Sequence, residues 1–259
     1  MKKVLFLSIV LVLLAVIGYS SYQLLDINRS TAQEAELHNQ LMQYRPAPQF
    51  LISVSPLDEF SDESYTEADL VLRVNQSIVD LQASHPDAVG WLTIPNTRVD
   101  YPFVQGVDNK QYLHLDLNQN QSAAGTIFMD FRNNSDFSDF NTIIYGHHMR
   151  SGSMFAALQE FDKQAFFEAN RTGTIFLANA TYEIEFFAFA VIQPNDAMIY
   201  NPAITTDTDR IAFLDYINTT ARHWRDIGAT ENDRIVTLST CNYEFNNARM
   251  VLVGRLIEN

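Results

Sequence analysis

The chain has 259 residues, with 17 Lys plus Arg against 31 Asp plus Glu, a formal net charge of −14. That balance excludes a nucleic-acid binder, which needs a basic stripe to displace counterions. Hydrophobic residues are 47% of the chain, so a wholly disordered polypeptide is excluded too. The single cysteine, Cys241, excludes an intramolecular disulfide scaffold and a cysteine-built zinc site.

Lys2 and Lys3 precede an uncharged run from Val4 to Leu25, which Asp26 ends. As a helix this run spans about 33 Å, against about 30 Å for a bilayer core. It is expected to be a transmembrane signal-anchor over residues 4–25. Residues 1–3 are then cytoplasmic, and everything after Asp26 is extracellular on a single-pass membrane protein. A cleaved signal peptide is the competing reading. Gly18 and Ser20 are small, but Tyr19 lies between them and no A-x-A pattern stands out. Both readings export the rest of the chain.

Residues 26–65 are expected to form an extracellular stalk. Ser30 to Tyr44 has a helical pattern, with Ser30 and Gln33 or Thr31 and Glu34 as a capping box. Its apolar face (Leu37, Leu41, Tyr44) is thin, and Pro46 and Pro48 end it. Residues 58–69 carry six acids and no base, which reads as a solvated linker.

One mixed domain is expected over 66–259. Thr66 and Asp69 cap a helix with Leu70, Val71, Val74, Ile78 and Leu81 on one face, stopped by His85-Pro86. Short strands then follow. Gly90–Pro95 and Arg98–Val104 flank a turn at Pro95-Asn96-Thr97. Gly125–Asp130, Asn141–Gly146, Gly173–Ala178, Tyr182–Ile192, Arg234–Cys241 and Arg249–Ile257 continue the pattern. Eight short strands predict a mostly β, closed or nearly closed barrel with peripheral helices. One helix interrupts them, with Thr206 and Asp209 as its capping box and Ile211, Leu214, Ile217, Ala221 and Trp224 as its stripe.

Three residues gather the chemistry. Cys241 ends the strand Arg234-Ile-Val-Thr-Leu-Ser-Thr-Cys, where alternation puts Ile235, Thr237, Ser239 and Cys241 on one face. A lone cysteine is more often a buried small hydrophobe than a nucleophile. Against that, an unpaired thiol in an exported protein is an oxidation liability that a purely structural role does not explain. His147 follows the apolar strand Thr142-Ile143-Ile144, at a strand end where functional groups often sit, although a loop histidine without a role fits the same position. Arg249 opens the next strand, eight residues after Cys241. It is either a strand-end charge or a fixed cation that favours a thiolate and an oxyanion. His38, His85, His114 and His223 show no metal-ligand spacing, so no metal is expected.

Thr237-Leu238-Ser239-Thr240-Cys241, followed by Ala248-Arg249-Met250-Val251, resembles the signature of the sortases, membrane-anchored cysteine transpeptidases of Gram-positive bacteria. Tyr145-Gly146-His147 matches their histidine motif, and Gly90-Trp91-Leu92-Thr93-Ile94-Pro95 resembles the start of their catalytic domain. The resemblance covers about residues 88–257. The Thr-Leu-Ser-Thr-Cys stretch, the late helix and the long N-terminal extension are similar to class B.

The resemblance implies an eight-stranded sortase β-barrel with an N-terminal helical extension and no cofactor. It implies Cys241 as nucleophile, His147 as general acid/base and Arg249 as oxyanion or substrate stabiliser. It implies a pocket with Ser239 in its lining, and a peptide held by the loop Met198–Thr206, with Tyr200 in it. A backbone N–H near Asn242 is expected to join the oxyanion site. The implied substrates are a secreted surface protein with a C-terminal sorting motif and an amine of the cell-wall peptidoglycan. A pilin and its lysine amine are the alternative pair, for a pilus polymerase. A cysteine peptidase using water and a non-catalytic membrane-tethered binding protein also stay open.

Overall fold

A computed structural model of the chain describes residues 2–47, 74–241 and 248–258; of Cys241 it describes the strand position. The acidic stretch 58–69, the Thr66–Asp69 cap, Leu70, Val71 and Asn242 lie outside the described residues. The chain divides into two units, residues 1–42 and 43–259.

The first unit is one helix, α1 (Lys2–Leu41). A break after Leu25 was the expectation, with a new helix capped near Ser30. The structure instead runs unbroken through that point. A helix interior leaves no orphan N–H groups to cap, and neither Pro nor Gly occurs between Tyr19 and Leu41 to interrupt it. Phe6, Ile9, Leu13, Ile17 and Leu25 on it are exposed, and Leu41 at its end is buried. Among the described residues no helix is long and apolar enough to cross a membrane.

The second unit begins with α2 (Gln76–Ser84). Ile78 and Leu81 are fully buried, as their spacing predicts. Val74 is exposed and lies before the helix, because Asn75 is the N-cap. His85 closes the helix as C-cap, donating its backbone N–H to Leu81 O.

The strands are β1 (Ala88–Thr93), β2 (Asp100–Gln105), β3 (Ile127–Met129), β4 (Asn141–Tyr145), β5 (Thr172–Leu177), β6 (Thr181–Ile192), β7 (His223–Trp224), β8 (Arg234–Cys241) and β9 (Arg249–Glu258). A short helix α3 (Gln164–Ala169) precedes β5, and α4 (Asp207–Thr220) joins β6 to β7. The spatial order is β5-β1-β2-β3-β4-β8-β9-β6, and a β5–β6 pairing closes the ring into an eight-stranded barrel. β7 attaches outside the ring to β6. The β1–β2 hairpin turns where expected, with Asn96 in the left-handed region (φ 61°) that asparagine tolerates.

β7 corrects the sequence reading, in which Trp224 continued the α4 stripe. The helix ends at Thr220, and the N–H groups of Arg222 and Arg225 donate to Phe189 O and Phe187 O. Sheet pairing therefore draws Trp224 away from the helical spiral. Within α4 the buried residues are Phe213 and Ile217, whereas Ile211 is 47% exposed.

Two cores follow from the period-two alternation of the strands. Phe103, Ile127, Phe186, Phe189, Val236, Leu238 and Leu252 fill the barrel interior. Ile235, Val251 and Val253 face outward and pack with Phe140, Phe187, Phe213 and Ile217 beneath α4. β6 reaches both layers through a bulge between Phe186 and Ala188. The extra residue rephases the alternation, so neighbours Phe187 and Ala188 both join the outer core.

Candidate active site

β8 is the central strand of the site. Its parallel register with β4 sets Tyr145 opposite Ser239, and Gly146 N–H donates to Ser239 O at 3.1 Å. β4 ends at Tyr145, and His147 follows it two residues on. On the other side, the antiparallel register with β9 pairs Cys241 directly with Arg249. Adjacent strands lie about 4.8 Å apart, so the Cys241 and Arg249 backbones stand side by side at the end of the barrel to which β4 leads. The histidine and arginine, 102 positions apart in sequence, come to line one cavity through the pairing of β4, β8 and β9.

A cavity of about 470 Å³ opens at this point, lined in part by Tyr145, His147, Tyr200, Ser239, Thr240 and Arg249. The predicted residues His147, Arg249, Ser239 and Tyr200 are thus brought to one cavity. His148 faces elsewhere and bonds Gln159 Oε1 at 2.8 Å.

His147 Nε2 lies 2.8 Å from Leu113 O. A carbonyl oxygen only accepts, so Nε2 carries the proton and Nδ1 is left as the nitrogen that exchanges one. Leu113 belongs to the single-turn segment Gln111–Leu113, which therefore orients the ring. The His114 ring lies beside it, with centroids 6.2 Å apart.

The floor is polar and interlocked. Tyr200 OH and Ser239 Oγ share a hydrogen bond of 2.8 Å, and the Tyr200 ring stacks on Tyr145 at 6.0 Å. The loop carrying Tyr200 is pinned from below: Asn141 Nδ2 donates to Ile199 O, and the N–H groups of Met198 and Ile199 donate to Asp196. Tyr216 of α4 donates its hydroxyl to the same carboxylate. Among the described residues the buried Thr240 hydroxyl has no hydrogen-bond partner.

Sequence reasoning missed Asn109, Leu113, Arg132 and Asp196 in the cavity wall. Nothing local marks them, since they sit on three separate loops. Tyr145 was visible inside the histidine motif but carried no assigned role. It donates its hydroxyl to the buried Asp130 carboxylate at 2.9 Å. Burial first, and the neighbouring Asp130 charge second, push its phenol far above the usual value, so it stays a donor. Among the described residues no group of His, Cys, Asp and Glu is arranged to hold a metal ion.

The Sortase domain family model matches residues 92–257. The chain is similar to Sortase B of Listeria monocytogenes, 38% identical over 186 residues that span 71% of this chain and 75% of that protein. It is 33% identical to Sortase B of Staphylococcus aureus over 187 residues, 71% of this chain and 76% of that one. Among solved structures, a Staphylococcus aureus sortase B–substrate complex matches with a TM-score of 0.74 and 28% identity, covering 89% of this chain and 99% of that chain. Clostridium perfringens sortase B matches with a TM-score of 0.66 and 35% identity, covering 69% and 98%.

Proposed function

The chain belongs to the sortase family and is a class B cysteine transpeptidase that anchors surface proteins, and we propose that Cys241, His147 and Arg249 carry its chemistry. The observation that supports this assignment is the cavity of about 470 Å³ that both His147 and Arg249 line, at the end of the barrel where Cys241 pairs directly with Arg249.

A free thiol has a pKa of about 8.5 and is mostly protonated at neutral pH. A guanidinium and an imidazolium beside Cys241 favour the anion. The thiolate attacks the backbone carbonyl carbon of a sorting motif, and the carbonyl oxygen becomes an oxyanion that Arg249 stabilises. As the C–N bond breaks, His147 gives its Nδ1 proton to the leaving amine, and the acyl group remains as a thioester on Cys241. An incoming amine loses a proton to His147 and attacks the thioester. The new amide forms and the thiolate is released. Tyr200 and Ser239 present hydroxyls to the bound peptide, and the Tyr145 ring supports Tyr200.

The amine comes from the cell-wall peptidoglycan in this reading, and the residues before the barrel hold the enzyme at the membrane. The anchor rests on the uncharged run Val4–Leu25 of the sequence, which includes Val4, Leu5, Leu7 and Leu24, whose side chains lie outside the described set. A helix apolar on all sides needs an apolar surrounding.

The test is mass spectrometry of the thioester formed with sorting peptides. Cys241→Ala abolishes the adduct; turnover retained in that variant would overturn the mechanism. Arg249→Lys is severely impaired, because a point charge does not reproduce the planar fork. Near-normal activity of that variant makes Arg249 structural. Product analysis with an added cell-wall amine gives a new amide adduct. A hydrolysed peptide alone indicates a peptidase, and a covalent ladder with pilin indicates a pilus polymerase.

A further inference from the structure

Beneath the cavity lies a carboxylate that the reaction does not use. Asp130 follows β3, and its side chain is fully buried. Arg132 donates to it three times, from its backbone N–H (3.0 Å), Nε (2.8 Å) and Nη2 (2.7 Å). Asn109 Nδ2 and Tyr145 OH both donate to Oδ2, each at 2.9 Å. All three donor residues line the cavity, while Asp130 does not.

The network continues beyond the carboxylate. Arg132 Nη2 also donates to Tyr200 O at 3.1 Å. Tyr200 closes the circuit through its ring stack on Tyr145 and its hydroxyl bond to Ser239. One buried anion thus ties together walls that come from the β2–β3 connection (Asn109), the turn after β3 (Arg132), the end of β4 (Tyr145) and the loop before α4 (Tyr200).

A buried carboxylate is costly unless paired and fully hydrogen-bonded. Here five hydrogen bonds satisfy it, and each one fixes a group that faces the cleft or holds one that does. Loops that carry binding groups need such a support, because a misplaced wall loses rate without any change in the reacting groups.

We propose that Asp130 is a positioning residue for peptide recognition: its carboxylate preorganises Asn109, Arg132, Tyr145 and, through Arg132, Tyr200 as the walls of the sorting-peptide cleft. The proposal rests on the assignment of the cleft to the peptide. Asp130 acts on the apparent affinity for the peptide and leaves the reactivity of the Cys241 thiol unchanged.

The test uses the full-length chain with Asp130→Asn and Arg132→Gln. Two readouts are taken: steady-state KM and kcat for a sorting peptide, and the pH profile of Cys241 alkylation by iodoacetamide. Asp130→Asn is expected to lower kcat/KM about 10- to 100-fold, chiefly through KM, with an unchanged alkylation profile. In Arg132→Gln the carboxylate keeps the hydrogen bonds from Asn109, Tyr145 and the residue 132 backbone N–H, and thermal melts select whichever single variant is folded for the kinetic readout. It severs the link to Tyr200 and raises KM in the same way. The double variant is no worse than the worse single variant, because both act through one network. A KM equal to the wild type in Arg132→Gln and in folded Asp130→Asn overturns the proposal. An alkylation profile that shifts together with kcat also overturns it, by placing Asp130 in thiol activation. Turnover retained in Cys241→Ala would instead remove the reading of the cleft itself, independently of Asp130.

Discussion

Gly146 shows how one residue sets the site. A Cβ there would lie 2.7 Å from Phe155 Cγ, while its own N–H is held by Ser239 O. The chain leaves β4 between an aromatic ring and the cysteine strand, and only glycine is thin enough. Gly146→Ala is expected to cost about 1–3 kcal/mol through overpacking. Because His147 is the next residue, acyl-enzyme formation falls further than the thermal melt alone accounts for. Titration belongs to this scale as well. Burial, then the hydrogen bond to Asp87, pushes the Tyr112 phenol up to about 12. The folded value exceeds the unfolded value of about 10, so this stability is complete below pH 10 and is lost as pH rises through 12. Tyr112→Phe therefore flattens the alkaline limb of stability against pH, read by denaturant melts from pH 9 to 12. Asp130 behaves in the opposite sense. Burial alone would raise its pKa, but the Arg132, Asn109 and Tyr145 hydrogen bonds hold it below the ordinary carboxylate value. Its contribution is present above about pH 4 and lost as pH falls through the lower folded value, so Asp130→Asn weakens the acid dependence of the melt.

Elements were legible where they are long and self-consistent. The β8 strand was read to its bounds, because eight residues of β-branched and alternating character allow no other structure. The α4 start was read from its capping box. Asp209 N–H donates to Thr206 Oγ1 at 3.2 Å, and the Thr206 hydroxyl donates to Asp209 Oδ2 at 2.6 Å. Thr206→Ala is expected to cost about 1 kcal/mol, measured as a shift of the denaturant midpoint with unchanged slope. Shorter or interrupted features were not legible. β7 has two residues and no pattern of its own, and it exists because β6 offers an open edge. The outward face of Phe187 and Ala188 was equally hidden, since a bulge is a property of two strands together.

At the scale of the whole molecule, the barrel closes through β5, which pairs with both β1 and β6. Closure gives each of the eight ring strands a partner on both sides and fixes the end where β4, β8 and β9 meet. The unit from residue 43 onward has its own cores, inside the barrel and under α4. A chain lacking residues 1–42 is accordingly expected to fold and to keep its kcat/KM on a soluble sorting peptide. Fractionation of cells carrying the two forms checks the anchor: the full chain sediments with membranes and the shortened chain does not.

The sequence by itself determined the family and the barrel class and singled out three candidate residues, because each is written in a contiguous motif on or beside a strong strand. It also determined the order in which those strands occur. Only the tertiary structure decided that Asn109, Arg132 and Tyr145 join Tyr200 in the cavity wall, since Asp130 links them across loops far apart in the chain. Hydrogen bonds to a buried charge depend on where backbones cross in space, and no local periodicity encodes that crossing.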